Sequence, residues 1–556
     1  MPKRLIIWLK RIVLLAIALV VLGGIVLHFL LGAWAAKPPP FPTDTAILHQ
    51  PLQTNSGKVS IGKSWVEQRE GLLVAHLRGS PFEIGYANGA LLRPQIHVLE
   101  TEFLNMVHSY VPNDWVLNIL KDYVIYRNRH LSDFVPDDYR MEIYGATLGC
   151  PDVRPELGAY YNRVLNYHAA QDVSYMMIDN PLVSRAGCTA FAAWGDATPA
   201  GHLVTGRNFD WEAAEVFSTN RIVILCEPDK GIPFVSLAWA GMTGVVSGMN
   251  RAGLSVTING APSGLPDQTA TPVAIVARDV LEHAHNISET LEIVRRSKVF
   301  VSTLWLVGSR ADGRFIVIEK TPDTTQVREP AGNTIICANH FETPGLKDNL
   351  RNKEYETEAT SISRKARLSE LVKQQHGNID PTNAAAILRD RRLPGGKFPG
   401  NGHRATLNAL IATHGTVMDL TDGIFWAASP PNQLGKFVAF DVNDFNRELP
   451  DRAIPADPLV SNGEYEHALA ARGSLAAGER QLKAGEATNA LDSAGKAESL
   501  NPGFYQNASL RGRALLALKR NSEAAGAFRA ALADEPAFLK EKRQIEALLR
   551  EATSRN

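Results

Sequence analysis

The chain has 556 residues, 45% hydrophobic and 21% charged, with Lys+Arg and Asp+Glu balanced at 58 each. That length implies two or three structural units, and the neutral balance argues against a polyanion-seeking surface and hence against nucleic acid as a partner. Four cysteines (Cys150, Cys188, Cys226, Cys337) without a CxxC pair, and no HExxH, exclude a disulfide framework and argue against a metal site, although a single bridge stays open.

In chain order, Lys3, Arg4, Lys10 and Arg11 precede an apolar run from Ile12 to Ala36 broken by one polar side chain, His28. Roughly twenty apolar residues cross a bilayer core, so residues 1–36 read as a cytoplasmic flank and transmembrane signal anchor. The positive flank stays inside, which sends the chain after Lys37 to the periplasmic or extracellular side. A cleaved signal peptide is the rival, since Ala33-Trp34-Ala35 is small-x-small, but signal peptides usually have shorter apolar cores. "KPPPFP", Lys37 to Pro42, opens a stiff Pro-rich linker over 37–59.

Residues 60–187 begin with "WVEQREGLLVAHLRGSPFEIGYANGALLRP", a strand, a Gly-Ser-Pro turn and a helix starting near Pro81 with Glu83 in its first turn. Residues 95–187 read as mostly helical. Past Cys188 short strands take over: Ala190 to Trp194, His202 to Arg207, Arg221 to Cys226, Pro233 to Trp239, Gly244 to Met249 and Leu254 to Asn259. Two amphipathic helices follow, Pro272 to His285 and Ile287 to Arg296, then strands from Ser302 to Val327. The domain closes with strands at Thr416 to Met418, Ile424 to Ala428 and Val438 to Phe440, a layered α+β pattern over 188–445.

A Pro- and Asp-rich linker, 446–465, leads to a helical segment, 466–556, with an internal repeat. Gly478, Ala490, Ala497 and Pro502 recur 34 residues later as Gly512, Ala524, Ala531 and Pro536, the tetratricopeptide period. Two repeats are few for a free-standing solenoid, so this unit is expected to lean on the rest of the chain or on a partner protein.

Chemistry concentrates around "SRAGCTAFAAWGDATPAGHLVTGRNFDW", Ser184 to Trp211. A free cysteine is most often a small buried apolar residue. Here Gly187 leaves an open carbonyl, so the thiol at 188 can attack the 187–188 peptide if the fold bends it suitably. A thioester and its hydrolysis would leave Cys188 with a free α-amine of pKa about 8, able to accept the proton of its own thiol. Such a site also needs a holder for the amine, an oxyanion donor and positive potential. If the first two strands after Cys188 pair as a hairpin, Arg207 and Asp210 return beside it.

Cys188, Arg207-Asn208-Phe209-Asp210, "GMNRAGLSVTIN" ending in Asn259, and Asn339-His340-Phe341 together resemble the N-terminal-nucleophile cysteine hydrolases, which include choloylglycine hydrolases and penicillin V acylases. The nearer resemblance is to the self-cleaving branch typified by acyl-coenzyme A:6-aminopenicillanic acid acyltransferase, because a long proregion with "RGSPFEIGYANG" precedes the cysteine. The resemblance spans roughly residues 60–445. It implies a four-layer αββα sandwich, cleavage between Gly187 and Cys188, no metal or organic cofactor, and these roles: Cys188 as nucleophile, Asp210 holding its amine, Arg207 lining the thiolate, Asn259 as oxyanion donor and Asn339 as second asparagine. Arg364 in "SISRKAR" matches the last active-site arginine, with Arg367 competing. Asn88 departs from a proregion histidine.

His283 and His285 read as helix-end cations and His340 as a packing residue or a neighbour of the site. "RDRRLPGGKFPGNGHR", Arg389 to Arg404, reads as a mobile basic loop and a place to look for a lid. The expected activity is amide hydrolysis or acyl transfer on an acylated small-molecule or lipid-like amide or a thioester, through an S-acyl enzyme. The alternatives are an envelope scaffold binding a protein through the repeats, with an inactive hydrolase-like domain, and an uncut cysteine hydrolase using His340 as base.

Overall fold

The computed structural model describes residues 34–170, 172, 187–211, 215–262, 264 and 269–554, with 22–24 and 30 besides. Most of the Ile12 to Ala36 run, where a transmembrane anchor is expected, lies outside the described residues, as do Ser184, Arg185 and Ala186. Among the described residues no helix is long and apolar enough to cross a membrane.

Two-residue alternation builds the core. In Arg221–Pro228, Ile222 and Ile224 bury themselves on one face and Val223 and Leu225 on the other, so the strand is covered on both sides. It sits inside an eleven-stranded sheet ordered Gln53–Asn55, Lys58–Ile61, Ser64–Arg69, Leu72–Gly79, Arg221–Pro228, Phe234–Trp239, Ser247–Asn250, Leu254–Gly260, Thr303–Ser309, Arg314–Lys320 and Thr325–Arg328. Leu72–Gly79 and Arg221–Pro228 run parallel, joining the segment before Cys188 to the segment after it. A six-stranded antiparallel sheet stacks on the first, ordered Thr334–Cys337, Thr189–Gly195, Gly201–Asp210, Ala412–Asp419, Ile424–Ala428 and Phe437–Asp441.

Ala190 and Ala192 face the large sheet, whereas Phe191 and Ala193 face Leu368, Val372, Ile387 and Leu388 of helices Ser361–Gln374 and Pro381–Leu388. The outer face of the large sheet takes Phe82, Ile143, Val280 and Ile293, one from each of four helices. The layers are therefore helices, sheet, sheet, helices. The hairpin expected after Cys188 forms, with Ala190 opposite Arg207 and Thr189 opposite Asn208. The large sheet also reaches back to residue 53, into the stretch expected as linker.

The "RGSPFEIGYANG" stretch gains a physical account. Ser80 and Glu83 cap each other's backbone N–H groups and start helix Pro81–Leu91. Gly85 and Gly89 on that helix press against helix Asp137–Gly149, at its Glu142 and Ala146 carbonyls, while Gly145 and Gly149 press back. A Cβ at Gly85 would overlap the Glu142 carbonyl. Helix propensity alone would make Gly85→Ala stabilising by about 1 kcal/mol. We expect instead a loss of about 3 kcal/mol from forced helix separation, read from the urea midpoint of unfolding. A gain would mean that the two helices are not in backbone contact.

The C-terminal segment folds as helices Glu464–Lys483, Ala487–Leu500, Tyr505–Ala517, Asn521–Ala533 and Leu539–Ser554 around Leu475, Ala494, Leu510, Phe528 and Ile545. Gly478 and Gly512, 34 residues apart, each leave room for a side chain of a neighbouring helix, Leu510 and Phe528 respectively.

Candidate functional site

Cys188 precedes strand Thr189–Gly195 by one residue and is 1% exposed. The neighbouring strand Gly201–Asp210 returns Arg207 and Asp210 beside it, and Gly187 N–H donates to the Asp210 carbonyl at 3.0 Å. Arg207 is fully buried, with Nη2 3.9 Å from Cys188 Sγ. Its guanidinium is held by the carbonyls of Val246 and Ile258, by Ser247 Oγ and by Asn259 Oδ1, so a buried cation is fixed in direction by the ends of two interior strands of the large sheet.

Arg364 reaches the same place from the second turn of its helix. Nη1 donates to Cys188 O at 2.6 Å and Thr189 Oγ1 at 2.7 Å, and Nη2 donates to Asn339 Oδ1 at 2.7 Å. Asn339 and His340 anchor that helix through Ser361, whose Oγ accepts from Asn339 N–H and shares a hydrogen bond of 2.7 Å with His340 Nδ1. Arg367, the competing arginine, points elsewhere and pairs with Asp390 and Glu370. A methyl group at Gly187 would stand 3.6 Å from Arg364 Cζ, ordinary contact, so glycine is not required there for space.

Burial dominates the electrostatics. It raises the Cys188 thiol above its usual range, opposed by Arg207. Burial pushes the Asp210 carboxyl up to about 7 against the pull of Arg364, Arg404 and Arg207, and its Oδ1 accepts no hydrogen bond among the described residues. A buried acceptor thus stands open beside the bond between Gly187 and Cys188.

The two asparagines are present but engaged. Asn259 Nδ2 donates to the carbonyls of Cys337 and Ala338 at 3.0 and 2.9 Å, which uses both its protons. Asn339 Nδ2 donates to Gly260 O at 2.8 Å. His340 is pushed down to about 4 by burial and hydrogen-bonds Ser361 rather than Cys188. Two participants carry no sequence signal of their own. His414, on strand Ala412–Asp419, accepts from Arg207 Nη1 at 3.2 Å and is held well below its usual pKa by burial. Ser247 bridges Arg207 and His414.

An apolar cavity of about 170 Å³ adjoins this cluster, between the helices of residues 93–168 and the strands after Cys188. Phe209 links the two: its ring lies 4.5 Å from the Arg207 guanidinium carbon, stacks on His414 and lines the cavity with Trp239, Phe103 and Val164. Asn88 ties the cavity rim by accepting from Gly241 N–H at 3.0 Å. Elsewhere, His202, Asp419 and Asp422 cluster at the opposite end of the Gly201–Asp210 strand, where Asp419 Oδ1 accepts from the N–H groups of Thr421 and Asp422 and closes a turn.

Residues 197–399 match the family model for acyl-coenzyme A:6-aminopenicillanic acid acyl-transferase. An uncharacterized protein of Archaeoglobus fulgidus is 26% identical over 393 residues, covering 64% of this chain and 63% of that protein. Protein dcd1B of Dictyostelium discoideum is 23% identical, with 46% of this chain and 51% of that one covered. The N-acylethanolamine-hydrolyzing acid amidase of Caenorhabditis elegans is 23% identical over 30% of this chain and 48% of its own. The chain thus spans about half to two thirds of the length of these relatives. Among solved structures, the Caenorhabditis elegans amidase ortholog aligns over 42% of this chain at 19% identity with a TM-score of 0.31. A conjugated bile acid hydrolase of Clostridium perfringens aligns over 47% at 16% identity and 0.33.

Proposed function

We propose that the protein is a cysteine amidohydrolase or acyltransferase of the N-terminal-nucleophile type, activated by cleavage between Gly187 and Cys188. The observation that carries this reading is the open carboxylate oxygen of buried Asp210 beside a buried cysteine flanked by Arg207 and Arg364. The family-model match over residues 197–399 supports it. In the first step Cys188 Sγ adds to the Gly187 carbonyl, the peptide C–N bond breaks, and the departing nitrogen takes the thiol proton. Water then cleaves the thioester, giving a Gly187 carboxylate, a free thiol and a Cys188 α-amine.

In the cut enzyme the amine accepts the thiol proton while Asp210 holds the resulting ammonium, and Arg207 favours the thiolate. The thiolate attacks an amide or thioester carbonyl, the leaving group departs with the proton, and water or an amine resolves the S-acyl enzyme. Asn259 is the proposed oxyanion donor, which requires one of its protons to leave a main-chain carbonyl when substrate binds. Asn339 keeps Arg364 on the strand start. The two fragments stay together, because Leu72–Gly79 lies inside the large sheet and Glu142 before the cut pairs with Arg278 after it.

The cavity beyond Phe209 suits the acyl chain of an amphiphilic amide, each buried methylene contributing about 0.8 kcal/mol. Hydrolysis should therefore rise about fourfold per added methylene until the cavity is full. Val164→Trp, which fills it, should flatten that dependence while leaving an acetyl amide unaffected, as measured by kcat/KM over an acyl-length series. Equal steepness in both proteins would separate the cavity from substrate binding.

The apolar N-terminal run is proposed to hold the catalytic domain at a membrane outside the cytoplasm. Its end is docked, with Ala36 N–H donating to Asn162 Oδ1 and the Trp34 ring 5.8 Å from that of Tyr126. Helix Asp114–Arg127 beside it exposes Trp115, Ile119 and Tyr123. The deciding experiment is N-terminal analysis of the purified, folded protein, which should find a fragment beginning at Cys188. An intact folded chain would instead favour a scaffold acting through tetratricopeptide-like helices.

A further inference from the structure

The stretch from Arg389 to Arg404, expected as a mobile basic loop, is clamped. On one side it meets the C-terminal helices. Lys397 Nζ donates to Ala533 O at 2.7 Å and pairs with Glu535 at 2.9 Å, and Asn401 and Asn501 exchange hydrogen bonds of 2.8 and 2.9 Å. His403, fully buried and held neutral by a pKa lowered to about 4, donates from Nε2 to Glu535 O and sits edge-on to Phe504 and Tyr505. Glu535 adopts φ +58°, a left-handed conformation costing a non-glycine residue about 1 kcal/mol, at the point where its carbonyl receives His403.

On its other side the same loop meets the Cys188 site. Ala405 O accepts from Ser363 Oγ, next to Arg364, and Leu407 O accepts from Asn208 Nδ2, next to Arg207. Arg404 stands in the chain between the His403 clamp and the Ala405 contact, its Nε and Nη1 are buried, and its charge bears on both Asp210 and Arg364.

We propose that the C-terminal helical unit is part of the catalytic apparatus: it fixes the loop at His403, and the loop in turn holds Arg404 as a positioning residue for Asp210, the group that holds the Cys188 amine. The inference rests on the reading of Cys188 as an amino-terminal nucleophile. The groups facing Asp210 are Cys188 and its amine at the head of one strand, Arg207 on its own strand, Arg364 on the helix and Arg404 on the loop. Burial already pushes Asp210 up, so losing one of three cations leaves it protonated over a wider range of pH.

The test is the pH profile of kcat/KM for the full chain on a fluorogenic N-acyl aminocoumarin amide, with fragment formation followed in parallel. Arg404→Gln should move the acid limb upward by about one pH unit, a loss of about tenfold on that limb. Arg404→Lys should restore it, which a purely structural role would not require. The remote double variant Lys397→Ala/Asn501→Ala should move the limb in the same direction by less. Normal cleavage with an unshifted limb in Arg404→Gln overturns the proposal. A shift in Arg404→Gln with none in the double variant overturns the part assigned to the helical unit. A wild-type chain that is neither cut nor active overturns the Cys188 reading itself, and this proposal with it.

Discussion

Cys188→Ala is expected to stay uncut and to lose amide hydrolysis by at least about 10⁴-fold, since on the proposed reading the variant lacks both the group that breaks its own backbone and the group that attacks substrate. Both losses trace to one atom, the Sγ that stands 3.9 Å from Arg207 Nη2. Denaturing electrophoresis and mass analysis check the first, and turnover of an N-acyl amide panel checks the second. The pairing of outcomes matters. An uncut variant that kept its activity would move catalysis away from Cys188, and a variant still cut at 187–188 would assign the cleavage to an external protease. Alanine fits the space without strain, so a folded, uncut chain is also the reference in which the unprocessed site can be studied.

The second large effect belongs to Asp210. An ordinary aspartate titrates near 4, whereas burial lifts this one to about 7 in the uncut chain. Between those values the native chain holds a proton that the unfolded chain has released. The stability tied to Asp210 is therefore fully present below about pH 4 and is lost as pH rises through about 7. In the uncut background, Cys188→Ala/Asp210→Asn should be more stable than Cys188→Ala by about 4 kcal/mol at pH 8, and nearly equal to it at pH 4. Denaturant unfolding at the two pH values reads the difference. Equal stabilities at pH 8 would mean that the carboxylate is already paired before cleavage. In the proposed cut enzyme the sign reverses: Asp210→Asn alone should lower kcat/KM about a hundredfold, since the proposed buried charge-assisted hydrogen bond to the amine would contribute about 3 kcal/mol. One substitution that stabilises the precursor and cripples the product is the signature of a group placed for a partner that does not yet exist.

Several features of this arrangement are legible along the chain. "CTAFAAW" and "HLVTGRNFD" read as two consecutive strands, and pairing them as a hairpin, which the structure does with a bulge between Ala193 and Gly195, places Arg207 and Asp210 beside Cys188. Ser80 and Glu83 announce a helix start, and four residues spaced by 34 announce the C-terminal helices. Helices Leu350–Glu358, Ser361–Gln374 and Pro381–Leu388 were not legible in the same way. They are polar or alanine-rich; the outer face of the small sheet makes an interior of Leu368, Val372, Ile387 and Leu388 on the latter two, and Tyr355 of the first joins the core of the large sheet.

By itself, then, the sequence determined most of the short strands after Cys188 and which arginine and aspartate follow that cysteine in the next strand, consequences of local composition and spacing, whereas strands Gln53–Asn55 and Thr334–Cys337 were not legible. Tertiary structure alone decided between Arg364 and Arg367, brought in His414, Ser247 and Arg404, and turned the Arg389 to Arg404 loop from an expected mobile segment into a clamped one. The reason is physical. Periodicity says which face of an element must be buried, but a buried charge or an imidazole is oriented by whatever carbonyl or carboxylate arrives from a distant element, and no local pattern encodes that arrival.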